Sequence, residues 1–103
     1  MGYEDAIAAL ADPSRRAILD RLRQGALPVG VIAKDLPISR PAVSQHLRIL
    51  TDAGLLVVRK DGNRRLYALS PGGAADLRTY IDSLWGNAFD AYLSQAKSTQ
   101  KEE

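Results

Sequence analysis

The stretch SRPAVSQHLRILTDAGLLVV, residues 39–58, predicts a helix that ends at a glycine and leads directly into a strand. Ser39 is a good N-cap, because its hydroxyl can accept a hydrogen bond from a free backbone N–H of the first turn. Pro41 suits that turn, where a missing N–H costs nothing. Gly54 stands where a left-handed residue commonly ends a helix. Apolar residues recur at the i, i+4 and i+7 spacing of one helix face, namely Val43, Leu47 and Leu50.

The opposite face of this helix is polar. Arginine, glutamine and serine are side chains of the kind that bind base edges or phosphates. A solvated face on a core helix would have the same composition, so the flanking segments decide between the two interpretations. The polar face comprises Arg40, Ser44, Gln45, Arg48 and Asp52.

The preceding segment predicts a second, shorter helix. Apolar residues between Val29 and Leu36 fall at i, i+3, i+4 and i+7. Pro37 and Ile38 leave room only for a tight connection before Ser39. Two helices joined by a few residues, the second with a polar exposed face, predict a helix-turn-helix. In that motif the second helix enters the major groove of DNA.

A basic β-hairpin is predicted after the polar helix. The segments 55–60 and 63–69 are strand-like, and Asp61-Gly62 between them is a strong hairpin signal. Its tip is rich in cations that repel one another, and an anionic partner accounts for them. A charged tip that prevents edge-to-edge strand pairing is the alternative; the neighbouring helix-turn-helix favours the anionic partner. The cations are Arg59, Lys60, Arg64 and Arg65.

Two helices are predicted before the helix-turn-helix. The segment 3–11 predicts the first, and Asp12 followed by proline predicts the cap and first turn of another that ends near residue 24. Arg15 and Arg16 lie near its start. These two side chains either reach a phosphate or form a solvated pair.

The longest helix is predicted from Ala74 to Ala96, after a Pro-Gly-Gly break at residues 71–73. Its apolar stripe contains Trp85 and Phe89, the sole tryptophan and the sole phenylalanine. A domain this small has little core to cover such a stripe. We therefore expect part of it to meet another chain, with packing on its own domain as the alternative.

Composition limits the function classes. The 103 residues predict one domain over residues 1–96 with a polar tail over 97–103. The absence of cysteine excludes disulfides and thiolate chemistry, and we expect a cytoplasmic protein without a membrane span. Net charge is +2, yet residues 34–65 carry +4 and the remainder −2. This concentration of positive charge is typical of a surface that meets phosphates.

Three motifs resemble the ArsR (arsenical-resistance repressor) family of winged helix-turn-helix regulators: LADPSRRAIL (10–19), SRPAVSQHLRILTDAGLL (39–56) and GNRRLYALS (62–70). The resemblance covers nearly the whole chain. It implies a mainly α (α+β) fold, with five helices and a two-stranded β-hairpin wing. It also implies a homodimer built from the first and last helices, and a repressor that binds an inverted-repeat operator near its own promoter until an effector releases it.

Site residues follow from these interpretations, with double-stranded DNA as the partner and the small-molecule effector unidentified. The expected DNA-binding residues are Arg15, Arg16, Arg40, Pro41, Ser44, Gln45, His46, Arg48, Arg59, Lys60, Asn63, Arg64 and Arg65. For His46 we expect a half-buried position with a structural hydrogen bond or a phosphate contact. The expected dimer interface comprises Tyr3, Ile7, Leu77, Tyr80, Ile81, Leu84, Trp85, Ala88, Phe89 and Tyr92.

The chain departs from the metal-sensing members of that family. Those members carry cysteines before the recognition helix or histidine and carboxylate ligands on the last helix. Here the former region, LPVGVIAKDL, has no cysteine, and the last helix has three aspartates but no histidine. Transition-metal sites need converging thiolate or imidazole ligands. We therefore expect no metal and no cofactor, as in the metal-independent autorepressor-type members that the chain resembles.

Two other function classes are weaker. A winged helix can serve as a protein–protein docking module, but such a module has no reason to collect positive charge on one helix and the hairpin. An enzyme is not expected: no nucleophile stands beside a base, no carboxylate pair marks a cleft, and no phosphate-binding glycine loop is present.

Overall fold

A computed structural model describes the backbone of residues 3–102 and the side chains of residues 4–96. The elements in this part of the chain are α1 (Tyr3–Leu10), α2 (Pro13–Arg21), β1 (Leu27–Pro28), α3 (Val29–Lys34), α4 (Arg40–Asp52), β2 (Leu56–Asp61), β3 (Arg64–Leu69) and α5 (Pro71–Glu102). The mainly helical fold with a hairpin is confirmed. The division into a domain and a polar tail from residue 97 stays a prediction.

Helices α2 and α4 begin as the sequence predicts. The Asp12 carboxylate accepts a hydrogen bond from the Ser14 N–H at 2.8 Å. The Ser39 hydroxyl accepts one from the Ala42 N–H at 3.2 Å. Each cap satisfies a donor that the helix leaves free. The start of α4 is thereby set, and with it the side chains that face outward.

Helix α4 ends at Gly54, also as predicted. This glycine has a φ of +81°, in the left-handed region that favours a residue without a Cβ. The Leu55 N–H donates to the Leu50 carbonyl and the Gly54 N–H to the Thr51 carbonyl, both at 3.0 Å. These two bonds form a Schellman turn. The turn sends the chain straight into β2.

Helix α5 begins at Pro71, three residues before the predicted start at Ala74. The Ser70 hydroxyl accepts a hydrogen bond from the Gly73 N–H at 3.2 Å and so caps the helix. Proline is tolerated in a first turn because its missing N–H would have no partner there. The Pro-Gly-Gly sequence is therefore the first turn of α5 and not a break.

The hairpin turn lies one residue later than predicted. Asp61 pairs with Arg64 across the two strands, so the turn residues are Gly62 and Asn63. Gly62 has a φ of +63°, whereas the φ of Asn63 is not positive. A glycine with positive φ at the first central position is typical of a type II′ turn, which matches the twist of a hairpin.

A third strand, which was not predicted, completes the sheet. Strand β1 pairs antiparallel with β3, Leu27 opposite Tyr67 and Pro28 opposite Leu66. The order is β1-β3-β2, so Pro28 lies on an edge, where a missing N–H is tolerated. A two-residue strand has no periodicity to recognise in a sequence.

The core lies between the inner face of α4 and the elements around it. All three predicted apolar residues of α4 are fully buried, so its polar face has to point outward. Leucines from the start of β2 close the core from the wing side. The buried residues are Ala6, Ala9, Ile18, Leu22, Ile32, Val43, Leu47, Leu50, Leu55 and Leu56.

The first turn of α5 packs against the end of α4, backbone to backbone. A Cβ added to Gly73 would overlap the carbonyl oxygen of Gly54. Gly73 does not have a positive φ, so the constraint is close approach and not backbone conformation. At the adjacent Gly72, an added Cβ would meet only the Ser70 hydroxyl, at an ordinary 4.0 Å.

We expect Gly73→Ala to lower the free energy of unfolding by about 1–3 kcal/mol, because the added methyl group forces two backbones apart. The matched control is Gly72→Ala, which should leave stability unchanged or raise it by up to about 1 kcal/mol through the unfolded state. Urea unfolding at one fixed protein concentration measures both. Equal effects of the two substitutions would contradict the close approach.

Candidate nucleic-acid interface

The outer face of α4 is exposed along its length. Because the opposite face is fully buried, the polar side chains cannot turn inward. Ser44 and Gln45 stand near the middle of the helix, between arginines in the first and third turns. All the predicted DNA-binding residues of this helix except His46, for which a half-buried position is predicted, are exposed: Arg40, Pro41, Ser44, Gln45 and Arg48.

The wing brings its cations close to one another. Lys60 lies directly opposite Arg65 in the β2–β3 ladder. Like charges in that position destabilise a sheet. Arg64 is partly balanced by Asp61, at 3.3 Å, in an exposed pair. An anion bound at the wing would relieve the repulsion between Lys60 and Arg65. All five predicted wing residues are exposed: Arg59, Lys60, Asn63, Arg64 and Arg65.

Helix α4 and the wing meet at one cleft of about 500 Å³. Arg40 from the start of α4 and Arg64 and Arg65 from the wing all line it. The structure therefore brings the two predicted groups of DNA-binding cations together, although they lie more than twenty residues apart in the chain.

The arginines at the start of α2 have partners inside the protein. Arg15 Nε donates to the Ala9 carbonyl at 2.7 Å. Arg16 Nη1 donates to the Leu10 and Ala11 carbonyls at 2.8 and 3.0 Å. Both side chains thus cap the carboxyl end of α1, where cations are favoured. A guanidinium has five donors, so a phosphate contact by either residue stays a prediction.

His46 is half-buried, on the side of α4 that faces α2. Its Nδ1 lies 3.4 Å from Arg15 Nη1. A guanidinium can only donate, so a hydrogen bond between the two side chains runs from Arg15 to an Nδ1 that carries no proton. The structural hydrogen bond that the sequence analysis considered for His46 is present, and a phosphate contact stays a prediction.

Asp12 completes this polar group. Its pKa is lowered, first because the carboxylate accepts a hydrogen bond from the Arg15 backbone N–H at 3.2 Å. Partial burial raises the pKa of Asp12. The hydrogen bond from the Ser14 N–H lowers it further, as do the charges of Arg15 and His46. The carboxylate thus favours its ionised form, which stabilises the start of α2.

The aromatic stripe of α5 is uncovered. We use this name for Leu84, Trp85, Phe89, Tyr92 and Leu93, all of which are exposed. Trp85 is 72% exposed and Tyr92 66%, values uncommon for side chains this large. Large exposed apolar patches mark interaction sites.

The remaining predicted interface residues differ in position. Leu77 packs half-buried on the protein's own core, and Tyr80 is half-buried as well. Ile7, Ile81 and Ala88 are exposed. The Tyr3 side chain lies outside the described residues.

Neither a metal-ligand cluster nor a membrane-spanning helix is found among the described residues. No three histidine, cysteine, aspartate or glutamate side chains among them are grouped as metal ligands would be. No helix among them is long and apolar enough to cross a membrane.

Sequence reasoning missed two features near the interface. Arg21 of α2 forms an ion pair with Asp35, Nη2 to Oδ2 at 2.6 Å, and so holds the connection between α3 and α4. The cleft beside Arg40 was also missed, because its apolar wall comes from β1 and α3. Asp35 was visible in the sequence beside Lys34, but its pairing with Arg21 depends on the packing of α2.

Comparison with known proteins places this architecture. Residues 10–59 match the family model described as a helix-turn-helix domain. The HTH-type transcriptional regulator Rv2034 of Mycobacterium tuberculosis is 55% identical over 84 residues, which are 82% of this chain and 78% of that protein. The transcriptional repressor SdpR of Bacillus subtilis is 40% identical over 62 residues, 60% of this chain and 69% of the relative.

Solved structures of similar proteins share this fold. An ArsR-like transcriptional regulator from Rhodococcus sp. RHA1 superposes with a TM-score of 0.80 at 27% identity, over 93% of this chain and 90% of that one. The homodimeric winged helix-turn-helix DNA-binding domain of Mb0332 from Mycobacterium bovis, a possible ArsR-family regulator, gives 0.66 at 29% identity, over 81% and 77%. The chain belongs to the ArsR family of winged helix-turn-helix transcriptional regulators.

Membership in the ArsR family confirms several expectations. The chain is a DNA-binding transcriptional regulator and not an enzyme, because the family and the relatives consist of such regulators. Within this fold α4 is the recognition helix and the β2–β3 hairpin is the wing. Which side chains contact DNA, and whether the protein acts without metal, stay predictions.

Asp12→Asn tests the polar group at the start of α2. Asparagine caps a helix about as well as aspartate but has no charge. A lowered pKa adds stability that is present above the unfolded value of about 3.9 and is lost as the pH falls through the folded value. We therefore expect the wild type to be more stable than the variant at neutral pH and the difference to vanish in acid. Urea midpoints at the two pH values measure it; an unchanged difference would contradict the charge effect.

Proposed function

We propose that this ArsR-family protein is a homodimeric cytoplasmic repressor that binds an inverted-repeat operator, in the manner of an autorepressor, without a metal ion. The observation that carries the proposal is the exposed cationic surface that runs from the recognition helix to the wing. In the described part of the chain, Arg40, Arg48 and Arg65 form no ion pair on this surface. Unpaired exposed guanidinium groups are available to DNA phosphates and bases.

The recognition helix is proposed to read sequence. Ser44 and Gln45 occupy the middle of its outer face and Arg48 lies one turn further. Glutamine pairs with adenine and arginine with guanine in the major groove, each pair worth about 1–3 kcal/mol against the wrong base. Pro41 is exposed in the first turn, where its ring suits a thymine methyl group.

The wing is proposed to position the protein on the DNA backbone. Its cations surround a two-residue turn and have no fixed geometry towards a base edge. Contacts to phosphates carry no sequence information but set the register of the protein on the duplex. The relief of the repulsion between Lys60 and Arg65 adds to this binding.

A second copy of the chain is proposed to cover the aromatic stripe. Helix α5 spans 32 residues, about 48 Å, whereas the core beneath it meets only its first turns. A two-fold dimer through this stripe presents two recognition helices related by symmetry. Half-sites of the operator are then inverted repeats, with centres about 34–36 Å apart.

The metal-free part of the proposal is supported by the ligand chemistry of the chain. No cysteine is present in the sequence, and the sole histidine accepts a hydrogen bond from Arg15. A transition-metal site needs several converging thiolate or imidazole ligands, and a single histidine does not supply them.

The aromatic stripe also supports the alternative of a docking module for a foreign protein. Such a module would use the stripe alone. The cationic recognition helix and wing favour the DNA-binding repressor.

DNA binding separates the two roles on the cationic surface. We expect the double substitution Arg64→Ala and Arg65→Ala to weaken binding to all duplexes and to reduce the log–log salt slope by roughly 0.9 for each lost phosphate contact. Gln45→Ala should instead lower the preference for the operator over a scrambled duplex, by about tenfold, with little change in the slope. Fluorescence anisotropy against the protein's own upstream DNA at several salt concentrations measures both.

Arg23→Ala is the control for loss of charge, because Arg23 is exposed and pairs only with Asp20, away from this surface. This substitution should change neither the salt slope nor the preference for the operator by much. Identical behaviour of the wing and Gln45 variants would contradict the division of roles. Equal binding of the wild type to operator and scrambled duplexes would contradict a sequence-specific repressor.

The dimer is tested by Trp85→Asp. A carboxylate in the middle of the aromatic stripe would be desolvated on association, so we expect a monomer by analytical ultracentrifugation and loss of operator binding. The control is Val57→Asp, on a valine of β2 that is 41% exposed and lies outside the stripe. It should remain dimeric. A dimeric Trp85→Asp protein would show that another surface joins the two copies.

A further inference from the structure

The cleft between α3 and the wing is lined by both apolar and cationic side chains. Its apolar wall comprises Pro28, Val29 and Val31 of β1 and α3 together with Tyr67 of β3. Three arginines also line the cleft: Arg40, Arg64 and Arg65. No acidic side chain lines the cleft. Its volume of about 500 Å³ is in the range of small-molecule sites.

The guanidinium groups of the cleft are only partly neutralised. The Arg40 guanidinium lies over the backbone of Gly30, where an added Cβ would be 3.9 Å from its Nη1. Neither Arg40 nor Arg65 forms an ion pair among the described side chains. Arg64 has one exposed partner, Asp61. Three positive charges therefore meet in one cleft with a single carboxylate near them.

The apolar wall is unexplained by DNA binding. A phosphodiester would use the arginines and leave Val31 uncovered, whereas Val29 and Tyr67 already pack partly against the core. Val31 is 39% exposed although it lies on a helix that contributes to the core. A ligand that contacts both the apolar and the cationic side chains needs a negative head and an apolar body.

We propose that this cleft binds a small organic carboxylate with an aromatic or long aliphatic body, and that this anion is the effector that releases DNA. The inference rests on the proposed function, because it regulates the same DNA-binding surface. A carboxylate forms two parallel hydrogen bonds with a guanidinium, which gives it both affinity and orientation. The apolar body then covers Val29, Val31 and Tyr67.

Competition follows from shared residues. A carboxylate bound to Arg40, Arg64 and Arg65 neutralises their charge, occupies the cleft and repels a DNA phosphate. The ligand therefore weakens DNA binding, and DNA weakens ligand binding by the same factor. No conformational change is required for this form of induction.

The experiment titrates the free, full-length protein with 2-naphthoate, followed by ¹⁵N–¹H NMR. The neutral 2-naphthamide and inorganic phosphate are separate probes, one lacking the charge and the other the apolar body. We expect saturable shifts at the amides of Gly30, Asn63 and Tyr67, and binding at least about tenfold weaker for each of the other two probes. In the DNA-binding assay, 2-naphthoate should raise the apparent Kd for the operator by the factor 1 + [L]/K, where [L] is its free concentration and K its own dissociation constant.

Val31→Trp fills the apolar half of the cleft without touching an arginine. It should abolish the 2-naphthoate shifts and keep operator binding, whereas Val57→Trp, on an equally exposed valine outside the cleft, should keep the 2-naphthoate shifts. Equal affinity for phosphate or naphthamide, shifts confined to α5, absence of shifts, or binding that leaves the operator affinity unchanged would each overturn the proposal. Failure of the ligand-free protein to prefer its operator would overturn the proposed function instead, and the NMR titration would still report on the cleft.

Discussion

The turn that ends the recognition helix is the constraint on which the rest of the structure depends. At Gly54 the chain reverses, and the Leu55 N–H reaches back to the Leu50 carbonyl. The Leu55 carbonyl in turn accepts from the Ser70 N–H at 2.9 Å, and Gly73 packs against Gly54. The end of α4, the start of β2 and the start of α5 are thus joined within a few residues. A shift of any one of them has to move the other two.

This junction links the recognition helix to the helix that is proposed to form the dimer. Helix α5 carries the aromatic stripe, and its first turn touches the end of the recognition helix with no side chain between them. Helix α1 is joined to the same recognition helix through Arg15, which contacts both the Ala9 carbonyl and His46. Both helices predicted to form the dimer are therefore attached to α4. The separation of two recognition helices in a dimer then depends on these short contacts.

Much of the fold was predictable because its signals are local. Asp12 and Ser39 cap helices that start where the sequence predicts, and Gly54 ends α4 as expected. The errors arose where the outcome depends on distant residues. The start of α5 depends on the Ser70 cap and on the close approach of Gly73 to the backbone of Gly54. The hairpin turn is at Gly62 and Asn63 because of the strand register, which a dipeptide signal does not determine.

The candidate site shows the same division between local and distant information. The sequence was sufficient to place the cations of α4 and the wing on exposed surfaces, since burial of the opposite face follows from periodicity. It could not predict that Arg15 and Arg16 donate to the carbonyls of α1, because a sequence does not show which partner an arginine side chain contacts. Nor could it show that β1 and α3 add an apolar wall beside Arg40. That wall gives the cleft a chemistry different from the rest of the cationic surface, so one set of arginines can serve both DNA and a smaller anion.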